Sequence, residues 1–137
     1  MASQVPFESR LDVNFMFTKL VVHDLELCAG FYADVFGLVE LQRIEAEIMG
    51  RKVSEICYKP TYAGGPLLIL AHFHDSGTPA EQELILGFAA KDIDAAMERA
   101  KAAGGEIVET LDLPGAGRLA FIRDPEGHVV QLSQSRG

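Results

Sequence analysis

Apolar and polar positions along this chain fall into one pattern that occurs twice. Asn14–Val22 (NFMFTKLVV) is dense in β-branched and aromatic residues and stops at His23-Asp24, which predicts a strand. Asp24 stands where a helix N-cap belongs. Behind it Leu25, Cys28, Ala29, Tyr32 and Val35 recur at helical spacing, and Gly37 closes the helix. Leu38–Ile44 and Lys52–Lys59 read as strands, Pro60–Pro66 as a loop, and Leu67–Phe73 as a short, buried strand. The order then repeats. Glu83–Ala90 is a strand, Asp92 a second N-cap, and Ile93, Ala96, Met97, Ala100 and Lys101 trace a helix that ends at Gly104-Gly105. Glu106–Leu111, Arg118–Arg123 and His128–Ser133 are the remaining strands, separated by the Leu113–Gly117 loop and the Asp124–Gly127 turn.

The pattern predicts an α+β chain of two βαβββ units, about 14–73 and 82–134, behind an N-terminal arm of residues 1–13. Each unit alone would leave one sheet face uncovered, so the halves must share one structure, a single domain for 137 residues.

Composition narrows the function classes. The net charge of −8 and pI of about 4.9 exclude a basic face for phosphates, so no nucleic-acid partner is expected. No apolar run approaches the roughly 18 residues of a membrane span, and Met1–Arg10 has no signal-like stretch, so a cytoplasmic protein is expected. Cys28 and Cys57 lack paired spacing and read as small buried apolar residues, with no disulfide. Gly64-Gly65 and Gly115–Gly117 precede strands, the wrong context for a nucleotide loop, and no cofactor is expected.

Thr18–Leu25 (TKLVVHDL), Phe31-Tyr32 with Val35-Phe36-Gly37, Lys91–Ile93, Gly104-Gly105 and Phe121–Gly127 (FIRDPEG) occur in an order that resembles the vicinal oxygen chelate superfamily. That superfamily includes glyoxalase I, extradiol dioxygenases and the bleomycin-resistance proteins. The resemblance implies curved mixed sheets forming an open trough, a homodimer, and a metal held by His and Glu from the first and fourth strands of each unit. Matching the motifs puts those four positions at Phe17, Ile69, Ile85 and Gln131. Only Gln131 offers an oxygen, where a catalytic ion wants about three N, O or S ligands, so no metal is expected. The neighbours Met16, Thr18, Leu68, Leu70, Leu84 and Leu86 would not rescue the site.

Alternation then lines the trough with Phe17, Ile69, Ile85 and Gln131, with Tyr58 reaching its rim, a lining suited to an apolar or aromatic small molecule. Lys19 and Glu83 also face inward on this reading, as an ion pair or as acid–base groups. His72 and His74 share the opposite face, beside Asp75, and read as an exposed strand-end pair. The expected function is metal-independent binding of a small molecule, by sequestration or acid–base chemistry. The alternative is a metal-dependent lyase, isomerase or dioxygenase of glyoxalase type.

Overall fold

Ten elements follow in the order β1 (Phe17–Val21), α1 (Leu25–Phe36), β2 (Glu40–Ile48), β3 (Arg51–Tyr58), β4 (Leu67–Phe73), β5 (Ile85–Ala89), α2 (Ile93–Ala102), β6 (Glu106–Leu113), β7 (Gly117–Arg123) and β8 (Val129–Gln134). The computed structural model describes residues 10–11, 15–48, 50–76, 84–113 and 117–134. Two four-stranded mixed sheets result, ordered β1-β4-β3-β2 and β5-β8-β7-β6. In each, the first strand runs parallel to the fourth and the other pairings are antiparallel. The two halves are thus one unit used twice, and neither sheet is closed into a barrel.

Local chemistry sets the helix ends. The Asp24 carboxylate accepts from Leu27 N at 3.0 Å and Asp92 from Ala95 N at 3.0 Å, each satisfying an otherwise orphaned amide. Gly37 takes the left-handed conformation (φ 66°) that ends α1. Two strands outrun the hydrophobic signal. β2 continues past Ile44 to Ile48 because Glu45, Ala46 and Glu47 pair with Ser54, Val53 and Lys52 on β3. β6 and β7 close their hairpin at Leu113 opposite Gly117, both of which the sequence reads as loop. Ladder hydrogen bonds, rather than burial, hold these polar extensions.

The helices join the halves. One continuous core takes Leu20, Ile56 and Leu70 from the first sheet and Ala120, Ile122, Val130 and Leu132 from the second. The buried stripes Cys28, Phe31, Tyr32 and Val35 of α1 and Ile93, Ala96, Met97 and Ala100 of α2 belong to the same cluster. Fully burying such large side chains contributes about 1.5–3 kcal/mol each. Phe36 stacks on Phe88 with centroids 4.0 Å apart, and Arg99 Nε donates to the Val35 carbonyl at 2.9 Å. Gly105 lets α1 approach: a Cβ there would lie 2.8 Å from Phe31 Cε1 and 2.9 Å from the Arg123 carbonyl.

The β7–β8 turn clips the second unit to the first. Glu126 accepts from the backbone amides of His23 at 2.9 Å and Asp24 at 2.5 Å. Buried Asp124 accepts four hydrogen bonds: Oδ1 from the amides of Glu126 and His128, each at 2.9 Å, and Oδ2 from Tyr32 Oη at 3.0 Å and His128 Nδ1 at 2.7 Å. His128 Nε2 faces the Val21 carbonyl at 3.2 Å. Both ring nitrogens face acceptors, so only the protonated imidazolium satisfies both. The hydrogen bond to Asp124 pushes the His128 pKa up, against the opposing effect of burial. Burial pushes the Asp124 carboxyl up, but His128 outweighs it and leaves the pKa below its ordinary value.

Both cysteines are free and buried. Burial, with the nearby carboxylates of Glu126 and Asp124, pushes the Cys28 thiol far up, and burial also raises Cys57. Neither is a poised thiolate.

Candidate functional site

Strand alternation sends Leu20, Ile56 and Leu70 into the core, so the opposite face of the first sheet carries Phe17, Lys19, Val21, Glu55, Cys57, Ile69 and Ala71. On the second sheet the corresponding outer face carries Ile85, Gly87, Val129, Gln131, Ser133 and Phe121. Register makes the two faces equivalent. Phe17 pairs with Leu67 and Ile85 with Val129; Ile69 and Gln131 each lie two residues further along. The four positions reached from sequence motifs are therefore two symmetry-related pairs.

Their chemistry does not suit a metal. Phe17 and Ile85 are exposed and Ile69 is buried, none with a donor atom, while the Gln131 amide donates to Ser133 Oγ at 3.2 Å. A neutral amide oxygen is a weak ligand, and a divalent ion needs about three stronger ones. Among the described residues no group of three or more His, Cys, Asp or Glu could hold an ion. His72 and His74, on the other face, have ring centroids 5.8 Å apart. His74 Nε2 contacts Ser54 Oγ at 2.7 Å, His72 Nδ1 faces the Val22 carbonyl at 3.3 Å, and Asp75 is taken by Arg51 at 2.6 Å.

The charged pair on the outer face is Lys19 and Glu55, with Nζ 2.6 Å from Oε2. Glu55 is only 6% exposed, and its Oε2 has no other partner among the described residues. Lys19 Nζ also lies 5.6 Å from the Phe17 ring centroid. Beside the pair, Val53, Ala71 and Phe73 form a small apolar cluster with Val21 and Ile48. Glu83, expected to partner Lys19, falls outside the described residues. Glu55 carries no motif signal, because the family motifs point to the first and fourth strands of each unit and Glu55 lies on β3. Alternation between Val53 and Cys57 on β3 carries the signal that finds it.

Tyr58 sits elsewhere. It faces the core, on the side opposite Phe17 and Ile69, because it shares the alternation of Ile56. Tyr62, in the loop before β4, is exposed.

Two βαβββ units packed through their helices, each with an open sheet face, define the paired-βαβββ class. The chain belongs to the Glyoxalase/Bleomycin resistance protein/Dioxygenase superfamily, whose family model matches residues 14–132. It is 28% identical over 133 residues to the putative glyoxylase CFP32 of Mycobacterium tuberculosis, covering 87% of this chain and 43% of that protein. The chain thus spans less than half the length of that relative. It is 27% identical over 129 residues to a probable lactoylglutathione lyase of Vibrio parahaemolyticus, covering 90% of this chain and 91% of that one. Among solved structures, a glyoxalase family protein from Bacillus cereus superposes with a TM-score of 0.78 at 23% identity, covering 91% and 95% of the two chains. A fosfomycin resistance protein from Listeria monocytogenes gives 0.69 at 18%, covering 90% and 93%. These superpositions speak for the fold alone.

Proposed function

We propose that this protein binds an apolar or aromatic small molecule on the outer faces of its sheets without a metal ion. One observation carries the reading: Phe17, Ile69, Ile85 and Gln131 present three hydrocarbon side chains and a single neutral amide. Such a surface packs a ring or chain, and Gln131 can donate to or accept from a carbonyl or hydroxyl. Exposed Phe15, Met16, Phe17, Ile85 and Leu111 favour a homodimer in which a second copy covers these faces. No helix among the described residues is long and apolar enough to cross a membrane, in keeping with a cytoplasmic role.

Lys19 with Glu55, and Glu83 as the sequence suggests, are the groups available for proton transfer. A positioned acid or base contributes typically 10²–10⁴-fold, so chemistry here requires an activated substrate. The second reading is a metal-dependent lyase of glyoxalase type. The name of the Vibrio relative favours it, and the side chains at the four ligand positions oppose it.

Native mass spectrometry of untagged protein, purified without chelator, tests the proposal. We expect a dimer carrying an organic adduct whose occupancy falls sharply in Phe17→Ala. A monomer, or an adduct indifferent to Phe17, contradicts it.

A further inference from the structure

Around the Lys19–Glu55 pair the outer face of the first sheet carries no other charge. Its neighbours there are Phe17, Val21, Cys57, Ile69 and Ala71, and burial keeps the Cys57 thiol protonated. Lys19 stands on the edge strand β1, and β4 separates it from Glu55 on β3. The register puts Ile69 beside Lys19 and the small Ala71 beside Glu55, so the lysine stem crosses β4 to reach the carboxylate. The two groups differ in what they show to solvent. The Lys19 side chain is 28% exposed and that of Glu55 only 7%. The carboxylate is the buried support, and the ammonium is the group presented at the surface.

Three properties of that ammonium say what it takes. It carries three N–H donors, and among the described residues its only polar partner is Glu55, which leaves donors for a ligand. Its Nζ lies 5.6 Å from the centroid of the exposed Phe17 ring, so one small molecule can pack on the ring and also meet the ammonium. The pair as a whole is neutral. A carboxylate approaching Nζ also meets the Glu55 charge a little further off, and repulsion offsets much of the attraction. A neutral carbonyl oxygen instead accepts a charge-assisted hydrogen bond and brings no charge onto an apolar face.

We infer that Lys19 is the polar anchor of the outer face, positioned by Glu55, and that the ligand is an uncharged aryl ketone rather than an acid. The ligand ring packs on Phe17, and its carbonyl oxygen accepts from Lys19 Nζ. This rests on the outer-face reading and names its ligand class.

The test is an NMR chemical-shift titration of the full chain with acetophenone, with ethylbenzene as the probe lacking the oxygen and benzoate as the acid. Lys19→Met combined with Glu55→Gln removes both charges together and so keeps the fold. In this double variant acetophenone should bind roughly tenfold more weakly, the worth of a hydrogen bond from a charged donor, while ethylbenzene is not weakened. Glu55→Gln alone leaves the ammonium unbalanced, so benzoate should bind about three- to fivefold more tightly than to the parent. A purely structural carboxylate would produce no such gain. Phe17→Ala should weaken acetophenone and ethylbenzene alike. If the two probes change alike in the double variant, the inference is overturned and the outer-face reading stands. Benzoate binding the parent more tightly than acetophenone, or showing no gain in Glu55→Gln, overturns it in the same way. If neither neutral probe binds at millimolar concentration, or both ignore Phe17→Ala, the outer-face reading fails and this inference with it.

Discussion

Lys19→Met is expected to lower unfolding stability by about 3 kcal/mol, because it strands the Glu55 carboxylate, whose Oε2 has no other partner among the described residues. Glu55 is 7% exposed at its side chain and Lys19 28%, so water reaches the ammonium but barely the acid. The asymmetry predicts a smaller cost, about 1–2 kcal/mol, for Glu55→Gln, which leaves a cation that can turn to solvent. The double variant should recover most of the loss, since removing both charges removes the desolvation that the pair must offset. Urea unfolding of the three variants checks this. If Lys19→Met stays within 0.5 kcal/mol of the parent (about the noise of a surface change), the ion pair does not hold Glu55. An ion pair of this kind adds little net stability over packed apolar residues of similar volume.

Asp124→Ala should be at least as damaging, costing about 4 kcal/mol. It removes the acceptor of four hydrogen bonds at once and leaves Tyr32 Oη, two amides and a protonated imidazole unpaired. The same clip makes stability depend on pH, and the two partners set opposite edges. The raised His128 contributes stability that is complete below its unfolded value near 6.5 and is lost as pH rises through its higher folded value. The lowered Asp124 contributes stability that is complete above its unfolded value near 3.8 and is lost as pH falls through its lower folded value. The clip is therefore strongest between about pH 4 and pH 6.5. Thermal unfolding from pH 5 to pH 9 should show a loss on the alkaline side that His128→Gln abolishes. An unchanged alkaline slope in that variant would show that His128 is not charged in the folded protein.

These two sites mark where the sequence stops being informative. The helices were legible because Asp24, Asp92 and Gly37 are local signals acting within four residues of where they stand. The sheets were legible because alternation and turn residues are also local. The Asp124 clip was not, since Tyr32 and Asp124 are 92 positions apart and no periodicity links them. Local residue types mark Asp124–Gly127 only as a turn, but its carboxylates also fasten one unit to the other. Tyr58 illustrates a second limit. Its place on a strand was legible, but its face follows from alternation with Ile56, which the register sets opposite core-facing Leu70 on β4. The outer-face positions Phe17, Ile69, Ile85 and Gln131 were reached by motif spacing, and the equivalent registers of β1 with β4 and β5 with β8 place them as matched pairs.

The account stands or falls on those four side chains being unable to hold a divalent ion. The direct test is metal analysis by inductively coupled plasma mass spectrometry, after the protein has been equilibrated with excess Zn, Ni, Mn or Fe(II) and desalted. The account predicts far less than one ion per chain for every metal, with no change in Phe17→Ala or Gln131→Ala. One tightly held ion per chain, lost in Gln131→Ala, would contradict it and make this a metalloenzyme of glyoxalase type.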